Sequence, residues 1–146
     1  MGSKANTFTT DYLKLIFNNT AIPLVGDAAG PQPSATAGSL YVSLHTADPG
    51  VAGFQNTTEA LYTGYARVAV ARAAGGWTIT AQSVSPTAVI QFPPGTAGGE
   101  TCTWAAVGTA SSGAGKILYR GALTPSITTG NGITPQIPVT STISES

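Results

Sequence analysis

The sequence predicts an all-β protein, a β-sandwich or jelly-roll-like fold with one short N-terminal helix. Short segments of alternating apolar and polar residues recur about every ten residues, with turn residues between them. Glycine (18) and proline (10) are abundant among the 146 residues, which favours turns over helices. There is no alternation of strand and helix patterns and no internal repeat, so a parallel α/β sheet and a repeat architecture are excluded.

One helix is predicted near the N-terminus, over residues 10–18. Thr10 is a suitable N-cap residue. Leu13, Ile16 and Phe17 recur with the spacing of a single helical face. We expect this face to pack on a sheet or on a neighbouring subunit.

A loop and then a strand follow the helix. Residues 26–38 are a low-complexity run without periodicity, predicted to be an interaction loop or to lie across a partner. Ser39–Gly50 is predicted to be a strand that stops at its Asp-Pro-Gly end. Leu40, Val42 and Leu44 alternate with polar or larger residues, so we expect them to form the buried face of this strand.

The next segments predict a hairpin. Residues 65–72 alternate as a strand, with Val68 and Val70 on one face. A short Ala/Gly turn follows, and residues 77–80, beginning with Trp77, are predicted to return as the partner strand.

The C-terminal half predicts further strands, over residues 89–92, over 101–109 with Trp104, and over 116–123 with Tyr119. The Pro/Gly/Thr-rich tail is predicted to add one or two edge strands. The predicted organisation is therefore an N-terminal arm and helix over residues 1–20 and a single β-sandwich domain over 21–146 with an extended C-terminal tail.

The low charge content limits which classes of protein the chain can belong to. Only 8% of the residues are charged, six acidic and six basic, and the formal net charge is zero. A free monomer with so little charge is prone to associate, whereas a chain covered by partners is not. The basic residues are scattered, which argues against nucleic acid as a ligand. No apolar run approaches the roughly 20 residues that span a bilayer, and we predict a non-membrane protein made in the cytoplasm.

His45 and Asp48 are the first candidates for chemistry, because His45 is the only histidine. A serine hydrolase of the nucleophile-elbow type would need Gly-x-Ser-x-Gly, which does not occur. We therefore predict that His45 is a structural residue at the end of its strand. One histidine and one cysteine, Cys102, disfavour a transition-metal site and exclude an intrachain disulfide. A Ca²⁺ site built from Asp and backbone oxygens stays open, although no EF-hand spacing occurs.

Two weaker signals point to ligands. Gly113–Lys116 is similar to a phosphate loop, but Ile117 stands where Ser or Thr should bind Mg²⁺, and a strand follows instead of a helix. Aromatic residues such as Tyr65 and Trp77 could form a sugar-stacking face, although core and interface packing is the preferred interpretation.

We predict no catalytic residue, no metal site and no cofactor, and therefore a protein that is not an enzyme. The side chains predicted to form the core or an interface are Leu13, Ile16, Phe17, Leu40, Val42, Leu44, Val68, Val70, Trp77, Trp104 and Tyr119.

Several stretches together resemble one family. They are Asn6–Phe8 with Leu13–Asn18, Ser39–Gly50, Tyr62–Arg72, Gly76–Trp77 and Gly108–Tyr119. In this order they resemble a family of small tailed-bacteriophage virion proteins, often labelled "phage tail fibre protein", and they span most of the chain.

The resemblance implies a non-enzymatic structural protein of the virion, made in the host cytoplasm. We favour a capsid decoration or cement protein that binds the major capsid protein as a dimer or trimer. Its helix, its 26–38 loop and its tail would bridge neighbouring capsomers. The alternative is a tail, collar or fibre-base component that supports host attachment. A third hypothesis is a carbohydrate-binding module or glycan hydrolase. Neither nucleic acid nor a membrane is an expected partner.

Overall fold

The structure is a computed structural model that describes residues 2–146. Within these residues it has one helix and nine strands. The elements are α1 (Asn6–Asn18), β1 (Ser39–His45), β2 (Val68–Ala71), β3 (Trp77–Thr80), β4 (Ser83–Pro86), β5 (Ile90–Gln91), β6 (Thr101–Gly108), β7 (Ile117–Thr128), β8 (Gln136–Ile137) and β9 (Ile143–Ser144). The sheets are open and their described strand pairings antiparallel, so the predicted all-β, sandwich-like class with a short N-terminal helix is confirmed. A jelly-roll connectivity stays a prediction.

The chain forms two compact units, each assembled from segments that are distant in sequence. The first unit comprises residues up to Ser39, Ala71–Ala88 and Pro138–Ser146, and the second comprises Leu40–Val70 and Val89–Ile137. The predicted domain division after residue 20 stays a prediction.

In the first unit, helix α1 packs against the sheet β3-β4-β9. Leu13 and Phe17, one helical turn apart, are fully buried. The Phe17 ring meets the Trp77 indole edge to face, with ring centroids 4.9 Å apart. Such an aromatic pair contributes roughly 0.5–1.5 kcal/mol beyond the area it buries. This apolar contact holds the helix on the sheet.

Helix α1 begins at Asn6, earlier than the predicted start at Thr10. The residue before it, Ala5, is extended and offers no side-chain cap. The Thr10 hydroxyl instead donates to the Asn6 carbonyl at 2.9 Å, as a residue inside a helix does. Packing therefore decides where this helix starts, because Thr9 in the added turn is buried. The C-terminal end is as predicted, with Asn19 in the left-handed region at φ 52°.

The predicted hairpin partner of β3 was wrong. β3 pairs with β4, in the register Trp77↔Pro86 to Thr80↔Ser83, whereas β2 lies at the edge of the other sheet. The β3–β4 turn places Ala81 at φ 52°. Alanine is not a residue that signals such a turn, since hairpin turns with positive φ favour Asn, Asp or Gly. The sequence around Ala81 therefore gives no signal of this hairpin.

The second unit is built on the four-stranded sheet β2-β1-β6-β7 and the small sheet β5-β8. Leu40, Val42 and Leu44 of β1 are buried, as their alternation predicted. The opposite face of β1 was expected to be the less buried one, yet Ser43 and His45 are also fully buried. The chain that follows β1 returns and pairs beside the end of this strand, where the Thr57 carbonyl accepts from His45.

The returning chain binds β1 through its backbone. The Ala60 amide donates to the Leu44 carbonyl, and the Thr46 amide donates to the Thr58 carbonyl, both at 2.9 Å. Glu59 forms a bridge with His45 between these two bonds. The segment after the Asp-Pro-Gly turn is therefore part of the core, and it brings polar side chains into the interior.

Candidate functional site

The structure separates the two residues of the first candidate site. His45 Nδ1 lies 2.8 Å from the Thr57 carbonyl oxygen and therefore donates its proton to that oxygen. Its Nε2 then accepts from the Ser43 hydroxyl at 2.9 Å. Asp48 has other partners, since it accepts from the backbone amide two residues on and forms an ion pair with Arg120. His45 and Asp48 thus make no pair.

Ser43 and His45 form a serine–histidine pair that no substrate can reach. Both residues are 0% exposed. A backbone carbonyl, that of Thr57, occupies the place where a catalytic triad has its carboxylate. Burial lowers the pKa of His45, although its bond to Thr57 opposes this shift. The geometry suits a structural strand-end histidine, as predicted.

A second polar cluster in this unit surrounds a buried ion pair. Arg67 donates from Nε to Glu59 Oε1 at 2.6 Å and from one terminal nitrogen to Oε2 at 2.8 Å. The Arg67 side chain is only 2% exposed. The Tyr65 hydroxyl donates to the same carboxylate at 2.9 Å and accepts from the Leu44 amide. Burial and the adjacent Glu59 charge raise the pKa of Tyr65.

The same guanidinium also holds the loop before β7. Arg67 donates to the carbonyl oxygens of Ala110 at 2.9 Å and Gly113 at 2.6 Å. These contacts explain why Gly113–Lys116 is no phosphate loop. The Gly113 carbonyl oxygen of this segment accepts from an arginine, whereas phosphate binding requires converging N–H groups.

Gln55 completes this cluster. It is fully buried, donates to the Tyr41 carbonyl at 3.1 Å and accepts from the Ala110 amide at 3.0 Å. A Cβ atom at Gly108 would lie 2.2 Å from the Gln55 side chain, and one at Gly115 would lie equally close. Both positions therefore need glycine so that the amide can enter. Three of the segments on which the resemblance rests, Ser39–Gly50, Tyr62–Arg72 and Gly108–Tyr119, meet at these contacts.

The sequence did not predict that Gln55, Glu59 and Arg67 are partners. The available signal was an arginine within an otherwise apolar strand pattern, which requires a counter-ion when it is buried. Nothing in the sequence spacing marked Glu59 as that counter-ion.

Arg72 binds the C-terminal end of helix α1 in the first unit. It donates to the carbonyl oxygens of Ile16 and Leu15, both at 2.7 Å, and to Ser34 Oγ at 3.1 Å. These carbonyls lie in the last turn, where helical partners are missing and a positive charge is favourable. Arg72 therefore joins the helix to the 26–38 loop.

The remaining chemical candidates are also internal. Cys102 is fully buried, and burial raises the pKa of its thiol to about 11. Trp77 is 2% exposed, which agrees with the preferred interpretation of core packing and leaves its ring unable to stack on a sugar. Across residues 2–146, no group of three or more His, Cys, Asp or Glu side chains could hold a metal ion.

The predicted core or interface residues divide into two groups. Leu13, Phe17, Leu40, Val42, Leu44 and Trp77 are buried, whereas Ile16, Val68, Val70, Trp104 and Tyr119 are partly exposed. The division between core and interface roles stays a prediction.

Several large apolar side chains are exposed on loops. Val51 is 94% exposed, Leu61 is 85% exposed and Leu24 is 80% exposed. Exposed apolar side chains are common singly, and the low charge content of the chain adds to its tendency to contact other proteins.

The comparisons with known proteins point to one family. A family model described as "Podophage GP4 fiber I protein gp80" matches residues 5–144. A search of curated proteins finds no match. The only helix in the described part of the chain is too short to cross a membrane.

Proposed function

Because the chain belongs to the family of the Podophage GP4 fiber I protein gp80, we propose that it is a fibre or fibre-base component of the virion tail. The observation that supports this proposal is the extent of the family match, which includes nearly the whole of both units. The family is one of phage fibre proteins, so the chain is a phage structural protein. The tail location is the proposal.

The geometry supports a structural role. The polar side chains that first suggested chemistry bind the protein's own backbone and each other, as Ser43, His45 and Arg67 show. Satisfied buried networks make a fold rigid and specific. A chain with few charges, exposed apolar loops and such a network in its second unit suits a position among neighbouring virion proteins.

Decoration of the head is the second candidate, and strand length favours it. The longest strand, β7, has 12 residues, and the sequence shows no repeat from which a long shaft is built. A cement protein of this kind would bind the major capsid protein and bridge capsomers. Helix α1, the 26–38 loop and the C-terminal tail would make the contacts.

Quantitative mass spectrometry of purified virions separates the two candidates. The number of copies is measured relative to the portal and major capsid proteins. A tail component is limited by rotational symmetry to on the order of ten copies per attachment level, whereas a decoration protein covers many capsomers. Tens of copies support the tail, and hundreds would overturn it in favour of decoration. Absence from the virion would contradict both.

Phage lacking the protein provide a second comparison. If the protein belongs to the tail, the particles should retain heads of normal heat stability but adsorb poorly to host cells. Heads that break on mild heating while adsorption is retained would favour decoration.

A further inference from the structure

The loop that follows helix α1 is closed on itself. The Ile22 amide donates to the Pro31 carbonyl at 3.0 Å and closes the loop at its neck. Outside this bond, Asn19 and Ser34 exchange two hydrogen bonds, both at 2.8 Å. Glycine is required at position 30, because a Cβ atom there would lie 1.9 Å from the Ile22 carbonyl oxygen. Residues 22–31, which we call the closed loop, therefore have a defined shape that their own hydrogen bonds maintain.

The closed loop presents apolar side chains to solvent. Leu24 is 80% exposed and Val25 is 48% exposed. Leu24 has φ 65°, a left-handed conformation that leucine rarely adopts and that costs free energy. This leucine gains little burial within its own chain in return. Its conformation and its exposure together indicate that its side chain acts in contact with another molecule.

A surface depression in the second unit has the size to take such a side chain. Its volume is about 220 Å³, which is below the roughly 300–1,000 Å³ of small-molecule sites and above the roughly 150 Å³ that holds benzene. Val51, one of its lining residues, is 94% exposed, so the depression is open to solvent. The lining residues are Gly50, Val51, Gly53, Ile117, Leu118 and Arg120. The depression therefore suits an aliphatic side chain better than a small-molecule ligand.

The closed loop and the depression carry charges of opposite sign. Asp27 is the one charged residue within 22–31, and its carboxylate accepts from the amides of Ala29 and Gly30 at 2.9 Å and 2.8 Å. Arg120 is the one charged residue among the described residues that line the depression, and its side chain is 26% exposed. An apolar loop with an acid beside it would thus meet an apolar depression with a base beside it, which favours their association.

We propose that Leu24 and Val25 of one copy of this chain insert into the depression of a second copy. The occupant is a second copy because the chain supplies both complementary surfaces, and its zero net charge does not oppose association. The contact is heterologous, since the two copies use different surfaces. A pair of copies still has one closed loop and one depression unused, so association continues beyond the dimer.

Cysteine cross-linking tests the geometry. Ala28→Cys lies in the closed loop and is exposed, and Val51→Cys lies in the depression. The native Cys102 is buried and does not interfere. With a short bis-maleimide at low protein concentration, a mixture of these two variants, one carrying a size tag, should form mixed covalent dimers. A mixture of Ala28→Cys with Leu61→Cys is the control, because Leu61 is 85% exposed but lies outside both surfaces. Equal yields from the two mixtures would refute the proposal.

Sedimentation equilibrium of the purified chain tests the affinity, whatever its place in the virion. The average mass of the native chain should rise with concentration beyond that of a dimer. Leu24→Asn should raise the dissociation constant at least about tenfold, because it removes the inserted apolar side chain. Asparagine suits the left-handed conformation, so this variant should keep the native urea midpoint. Leu61→Asn is the control and should associate like the native chain. A native chain that stays monomeric would overturn the proposal, as would equal weakening by both substitutions.

Discussion

Replacing Arg67 by methionine removes the cation from the buried polar network while keeping an unbranched apolar chain. Four hydrogen bonds are lost, two to the Glu59 carboxylate and two to the carbonyls of Ala110 and Gly113. The carboxylate, 13% exposed, keeps the Tyr65 hydroxyl as its side-chain donor. Breaking a buried pair from one side costs about 3–5 kcal/mol. At about 2–4 °C per kcal/mol, the melting temperature should fall by roughly 6–20 °C.

Urea unfolding followed by tryptophan fluorescence measures this loss. Arg120→Met is the matched control, because the Arg120–Asp48 pair lies at the surface, with side chains 26% and 42% exposed. Surface pairs contribute about 0–1 kcal/mol, so this variant should unfold close to the native protein. If Arg67→Met were as stable as Arg120→Met, the network would not hold the second unit together.

Three further outcomes concern His45, Arg72 and Cys102. Burial holds the pKa of His45 below its ordinary value of 6.5, so the unfolded chain binds the proton more readily. The histidine's contribution to the stability of the native protein should therefore be complete above that pH and be lost as the pH falls below it. In His45→Gln the fall in urea midpoint between pH 8 and pH 5 should be smaller than in the native protein. An identical fall would contradict the lowered pKa of His45. Arg72→Leu should lose about 1–3 kcal/mol of unfolding free energy in the same assay, because it leaves two helix carbonyl oxygens without a donor, whereas Arg72→Lys should lose less. The Cys102 thiol, with its pKa raised to about 11, should react with a thiol reagent at pH 8 only after unfolding, and fast reaction of the folded protein would be the opposite result.

Local pattern was sufficient for the elements whose burial follows their periodicity. Leu13 and Phe17 lie one helical turn apart, and Leu40, Val42 and Leu44 alternate, so each set had a defined face before the structure was known. In both cases the residues of a single segment are enough to define its buried face.

The parts of the fold that the sequence did not predict depend on contacts between distant segments. β3 pairs with β4 through a turn at Ala81, which carries no turn signal. His45 is bound by the chain that returns beside β1 at Thr57 and Glu59, and no residue of β1 predicts this contact. The buried pair joins Glu59 and Arg67, and its loop contacts lie more than 40 positions further on. Sequence spacing identifies neither partner.

Labelling the protein on intact virions tests the central claim most directly. A short epitope tag carried by the exposed C-terminal residue, Ser146, would be bound by antibody-gold and located by electron microscopy. The proposed function predicts gold at the tail or at the fibre attachment level. Gold distributed over the surface of the head would contradict it and identify a decoration protein.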